Sequence, residues 1–237
     1  MRGILNNATI KQHYDLNFTK RKFCNSCWES RCTFKEKDQK YNQSYSTLGP
    51  GFSSHTLKLP IDILIVAEAH GGGNSDGFCS QRTLEEEING FEEYYMLNSI
   101  EKFHQQQMRI LLKRLDSLGL NWVFTDLLKC FIWEKKEGEL KGSLNKKIAI
   151  SHCSQYLTEQ INLLNPKFII PLGTTVASYF KIKGKKVQGQ MFEYSEDSKI
   201  IFSFFPSQRT ADKWAQVDGW NPILVRLEGY VKSKNLI

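Results

Sequence analysis

Three sets of residues in this chain have types and spacings that could do chemistry. Two carboxylates, Glu68 and Asp126, each stand where an apolar run surfaces, in IDILIVAEA (61–69) and NWVFTDLL (121–128). A carboxylate in such a place can orient water, stabilise a cation or accept a hydrogen bond from an amino group. At Asp126 an N-cap or a strand-end turn is the plainer reading, since Asp serves both. Cys24-Asn-Ser-Cys27 is a C-x-x-C pair with Cys32 close behind, while Cys79, Cys130 and Cys153 lie far away. Such thiols point to a metal or a cluster, with zinc and reduced structural cysteines as alternatives. His70 opens a glycine loop, His70-Gly71-Gly72-Gly73, and Phe205-Pro206-Ser207-Gln208-Arg209 closes the run KIIFSFFPS (199–207).

These residues need a scaffold, and the patterning supplies one. IDILIVAEA is continuously apolar, as a strand covered on both faces should be. NWVFTDLL, KFIIPLG (167–173) and KIIFSFFPS read as three more strands. Helical periodicity falls at MRILLKRLDSLG (108–119), AISHCSQYLTEQINLLN (149–165), TTVASYFK (174–181) and NPILVRLEGYVK (221–232). Alternating strands and helices predict an α/β chain: a three-layer α/β/α sandwich around a central, mostly parallel four-stranded sheet. The loops after the strand C-termini then gather along one edge, where ligands bind. Glu68, His70, Asp126 and the 205–209 turn all belong to that edge. We expect one domain over 1–237, with residues 1–59 as an irregular N-terminal segment and 74–107 as a helical insert beside the site. No internal repeat is visible.

Composition narrows the partner. The net charge is +7 and the pI about 9.0, with basic clusters at Lys20–Lys22, Lys135–Lys147 and Lys181–Lys186. That balance favours a polyanion, though a lysine run alone is often just a solvated face. No apolar stretch reaches the roughly 20 residues of a membrane span. The N-terminal residues lack a signal-type apolar core, so a cytoplasmic protein without membrane contact is expected, and with it reduced cysteines. HGGG lacks the spacing of the phosphate-binding motifs GxxxxGK[ST] and GxGxxG.

Taken in order, AEAHG, FTDLLKC, a helix containing Cys153, PKFIIPLGTTVASYF and FFPS resemble the uracil-DNA glycosylase superfamily, most of all its iron–sulfur, family-4-like branch. Blocks of that branch look like GEAPG, TNVVKC, PKxIxxLGxxA and HPS. The resemblance covers roughly residues 20–210. It implies a structural [4Fe–4S] cluster held by Cys24, Cys27, Cys130 and Cys153, with Cys32 as the reserve ligand and Cys79 as a free thiol. Thiolates are the ligands such clusters take. The 22 residues between Cys130 and Cys153 exceed the family's spacing, and the excess sits in the basic stretch EKKEGELKGSLNKK. It further implies that Glu68 orients water or stabilises the sugar cation. His70, which stands where the motif has Pro, would stabilise the leaving base. Ser207, Gln208 and Arg209 would form the loop pressed on DNA.

The departures from the pattern carry as much as the matches. Where the family reads uracil with Asn, this chain has Asp126. An ionised carboxylate cannot donate to O4 of uracil but can accept from the N4 amino group of cytosine. An enzyme that removed ordinary cytosine would destroy its host's genome, so a cytosine modified at C5 is the expected target. The open loop GGGNSDGF around Phe78, which we assign to base recognition, leaves room for such a group. Tyr94, Tyr95 and Phe91 of the insert suit stacking on bases or sugars. The resemblance therefore extends to anti-phage glycosylases that act on glucosylated hydroxymethylcytosine. Where the family has His before Pro-Ser, this chain has Phe205.

The expected function is a monofunctional, monomeric DNA glycosylase that leaves an abasic site in phage DNA. Two alternatives stand beside it. One is a uracil-DNA glycosylase of base-excision repair in which a protonated Asp126 donates to O4. The other is a catalytically inactive DNA-binding module.

Overall fold

A computed structural model describes residues 3–14, 51–69, 84–97, 102–128, 133–136, 139–142, 146–184, 186–207 and 211–234. Its strands are β1 (Phe52–Ser53), β2 (Ile63–Ala69), β3 (Trp122–Leu128), β4 (Trp133–Lys136), β5 (Glu139–Gly142), β6 (Phe168–Pro171), β7 (Met191–Glu193) and β8 (Lys199–Ile201). Its helices are α1 (Gly3–Asn6), α2 (Ala8–Tyr14), α3 (Leu84–Glu92), α4 (Phe103–Ser117), α5 (Lys146–Leu164), α6 (Thr174–Tyr179), α7 (Ala211–Gln216) and α8 (Asn221–Lys234). A π-helical turn, Glu93–Leu97, follows α3.

The sheet has six strands in the order β1-β3-β2-β6-β8-β7, not four. The four expected strands form its parallel centre, with β2 beside β3 and β6, and β6 beside β8. The two additional strands are short and antiparallel, one on each edge. They escape sequence reading because two or three residues carry no periodicity. Gly51 admits β1: at φ +81, a Cβ there would lie 1.7 Å from the Phe124 carbonyl oxygen. Only glycine lets the chain pass that close. The basic stretch between Cys130 and Cys153 contains a separate hairpin, β4 paired with β5.

Helices cover both faces. Trp122 Nε1 donates to Asp116 Oδ1 on α4 at 2.8 Å, and Tyr95 of the π-turn lies 5.4 Å from Phe124, ring to ring. Thr125 Oγ1, one position out of phase, donates to Gln160 Oε1 on α5 at 3.3 Å. Side chains alternate along a strand, so Trp122, Phe124 and Asp126 face α4, and Thr125 faces α5. The α8 helix joins α4 through Arg114–Glu228, and α6 joins α5 through Tyr179 and Ser154. The expected three layers follow from these contacts.

The helix bounds differ from expectation by up to a few residues, and two departures bear on the site. The α4 helix begins at Phe103, so the boundary drawn at 107 falls inside it; His104 continues the stripe of Met108, Leu111 and Leu115 toward the sheet. The 211–216 helix was not foreseen, because six residues are too few for a periodic signal. None of the described helices is long and apolar enough to cross a membrane.

Candidate active-site edge

The parallel strands end together, and the functional positions follow from that register. Ala67 of β2 pairs with Asp126 of β3, and Ala69 with Leu128. Glu68 is therefore one step above the Ala67–Asp126 level on the adjoining strand. By the same alternation it leaves the sheet toward α5, while Asp126 leaves toward α4. The two carboxylates thus enter the edge from opposite faces. Glu68 is partly exposed, whereas Asp126 is only 1% exposed. Its Oδ2 accepts no hydrogen bond among the described residues, although the side chain is engaged by other interactions. A turn-forming or N-cap Asp at the surface would not be buried so completely, since its purpose is to serve exposed backbone N–H groups.

The third and fourth strand ends complete the edge. After β6 the chain turns through Gly173 at φ +89 into α6, and a Cβ there would meet the Phe205 Cβ at 3.4 Å. The 204–207 turn is held from below by Gln188, which is 6% exposed. Its Oε1 accepts from the Phe204 N–H at 2.8 Å, and its Nε2 donates to the Gly219 carbonyl at 3.0 Å and to Ser203 Oγ at 3.3 Å. Phe205 itself is 37% exposed, and Ser207 is half-buried. The His104 ring lies 6.1 Å from that of Phe205. Burial, and then the nearby Lys102 ammonium, hold the His104 imidazole below its ordinary value of 6.5. Lys213 sits over the Phe204 ring at 4.0 Å.

Thr125 and Gln160 continue into Tyr14, whose hydroxyl accepts from Gln160 Nε2 at 3.0 Å. This chain of buried polar groups ties α2, the strand bearing Asp126 and α5 together. Burial raises the Tyr14 phenol above its ordinary value of 10.0.

Glu68, Asp126, Phe205 and Ser207 thus share one edge of the sheet. His70, Phe78, Gln208 and Arg209 lie outside the described residues, as do Cys24, Cys27, Cys32, Cys79 and Cys130. Position 153 lies on α5, seven residues or about two turns before Gln160. Among the described residues, no group of three or more His, Cys, Asp or Glu could hold a metal ion. His104 and Gln188 were missed in the sequence. The extended stripe 104-108-111-115 was the available signal for His104; Gln188 had none, because its partners are distant in the chain.

The profile of the Uracil DNA glycosylase superfamily matches residues 64–221, about two thirds of the chain, which takes in the four parallel strands but for the first residue of β2. A Type-4 uracil-DNA glycosylase of Thermotoga maritima is 36% identical over 59 residues. That match covers 23% of this chain and 31% of that protein, so the shared stretch is less than a third of the relative's length. With the profile spanning every strand that builds the edge, the chain belongs to the uracil-DNA glycosylase superfamily.

Proposed function

We propose that this protein is a DNA glycosylase that flips a modified cytosine out of the duplex, reads it with Asp126 and hydrolyses its N-glycosidic bond. The observation that carries the reading is a carboxylate, 1% exposed, at the C-terminal end of β3 in a uracil-DNA glycosylase superfamily fold. A buried acceptor suits an N4 amino group and repels the O4 of uracil. Sites built on such hydrogen bonds reject bases that lack them by large factors. Flipping is required because neither the bond nor the base edge is reachable in the stack.

Glu68 orients water or stabilises the oxocarbenium-like sugar, and its partial exposure suits contact with solvent. In the loop after β2, Phe78 contacts the base and His70 is one group that can meet it as it departs. Ser207, Gln208 and Arg209 press on the DNA, with Gln188 holding the turn from which they extend. Cys24, Cys27, Cys130 and Cys153 would hold a [4Fe–4S] cluster as a structural tie without redox chemistry. Two features support it. Position 153 is on α5, the helix that binds Tyr14 of α2 through Gln160, and position 130 follows the last residue of β3 by two in the sequence. Restriction of phage DNA, with glucosylated hydroxymethylcytosine as its target, is the role that lets a host tolerate cytosine excision.

A second reading, uracil excision in repair, draws on the segment shared with the Type-4 uracil-DNA glycosylase. Abasic-site formation on matched duplexes separates the two. Anaerobically purified protein is offered cytosine, uracil, hydroxymethylcytosine or glucosylated hydroxymethylcytosine. Cleavage confined to a modified cytosine is expected. Cleavage of uracil alone selects repair, and no cleavage rejects both in favour of a DNA-binding module.

A further inference from the structure

The geometry points to His104 as the hydrogen-bond donor that takes up negative charge on the departing base. This rests on the glycosylase reading above. Hydrolysis breaks the bond from the sugar C1′ to the base nitrogen, and the electron pair leaves with the base. The water oxygen bonds to C1′, one water proton passes to a carboxylate and on to solvent, and the base anion is finally protonated from solvent. In the moment of cleavage the base is an anion beside Glu68 and Asp126, both of which disfavour it. A donor must therefore face that position.

Three observations place His104 there. The α4 helix is pinned to β3 at its far end by the Trp122–Asp116 bond. From Asp116 back to His104 the helix climbs about 18 Å, and from Trp122 to Asp126 the strand climbs about 13 Å. Both therefore finish at the same end of the sheet. Second, His104 lies on the stripe of α4 that buries Met108, Leu111 and Leu115, which is the stripe turned to the Asp126 face. Third, its ring stands 6.1 Å from Phe205, the residue opening the Pro-Ser turn. The start of the helix is fixed by Gln105, 7% exposed, whose Oε1 accepts the Lys102 N–H at 3.2 Å. A neutral imidazole, which burial favours here, still has an N–H to donate.

The test uses the full chain on whichever modified-base duplex the wild type cleaves. His104→Ala and His104→Phe should each lower kcat about 100-fold, as loss of one preorganised donor does. The KM for DNA should change less than threefold, and His104→Gln, which restores an N–H, should recover at least tenfold of the loss. The proposal is overturned if all three variants stay within threefold of wild type, if all three fall equally, or if the loss appears in KM. It is also overturned if His70→Ala shows the kcat pattern and His104→Ala does not; in all these outcomes the glycosylase reading survives. A wild type that cleaves no duplex removes that reading and the His104 role together.

Discussion

On the proposed reading, Asp126 is the residue at which a change of one atom should separate two base specificities. Carboxylate and amide are nearly isosteric, so Asp126→Asn keeps the buried volume while exchanging an acceptor for a donor. The expected outcome is loss of modified-cytosine excision by at least 100-fold, with measurable uracil excision gained, read as abasic sites on matched duplexes. Unchanged specificity would refute Asp126 as the base reader. Glu68 differs in kind: it is partly exposed at the penultimate position of β2. Glu68→Gln should lower kcat by about 100-fold or more while leaving DNA affinity within a few-fold, measured by single-turnover cleavage and by a salt-controlled binding titration. An equal loss in both would make it a binding residue.

At the scale of elements, the edge depends on how firmly each strand end is held. Among the described residues the 204–207 turn has no strand pairing, the Leu172–Ser203 bridge lying just before it, and the Gln188 amide is one of the groups that hold it. Gln188→Leu keeps the volume and takes from the Phe204 N–H its acceptor and from the Gly219 carbonyl its donor. Burying such groups unpaired costs about 1–3 kcal/mol each. A lower melting temperature together with a raised KM for DNA is expected; a lower melting temperature alone would confine Gln188 to stability. On the other face, the Thr125–Gln160–Tyr14 chain links the strand of Asp126 to α5 and α2. The apolar runs made the four central strands legible, because a strand buried on both faces must be apolar throughout. The clamp at Gln188 was not legible, since its partners Ser203, Phe204 and Gly219 lie 15, 16 and 31 residues away.

For the whole molecule, the end of the sheet opposite the site is closed by Asp62, which is 4% exposed. Its carboxylate accepts from the Asn121 N–H at 2.9 Å, the Tyr230 hydroxyl at 3.2 Å and Lys234 Nζ at 2.7 Å, tying the last helix to β2 and β3. The hydrogen bond to Asp62 raises the Lys234 ammonium above its ordinary value of 10.5, and burial raises the Tyr14 phenol above 10.0. Both groups hold protons more tightly folded than unfolded, so the stability they contribute is complete below pH 10 and declines as pH rises through their folded values. Thermal melts should therefore fall off steeply above about pH 10, with Tyr14→Phe flattening that decline. A Tyr14→Phe profile superimposable on wild type would remove Tyr14 from the account.

Much of this protein follows from the sequence by itself. The order of apolar runs determined the parallel centre of the sheet, because burial on both faces constrains every residue of a strand. The strand ends likewise singled out Glu68 and Asp126, since residues there surface at the edge where α/β sheets bind ligands. Tertiary structure decided what no local pattern encodes. It set the strand register that brings Ala67 and Asp126 level, sent the two carboxylates to opposite faces and brought His104 against Phe205, 101 residues away. Register and face depend on packing between segments distant in the chain, and short-range periodicity carries no information about which distant segments meet.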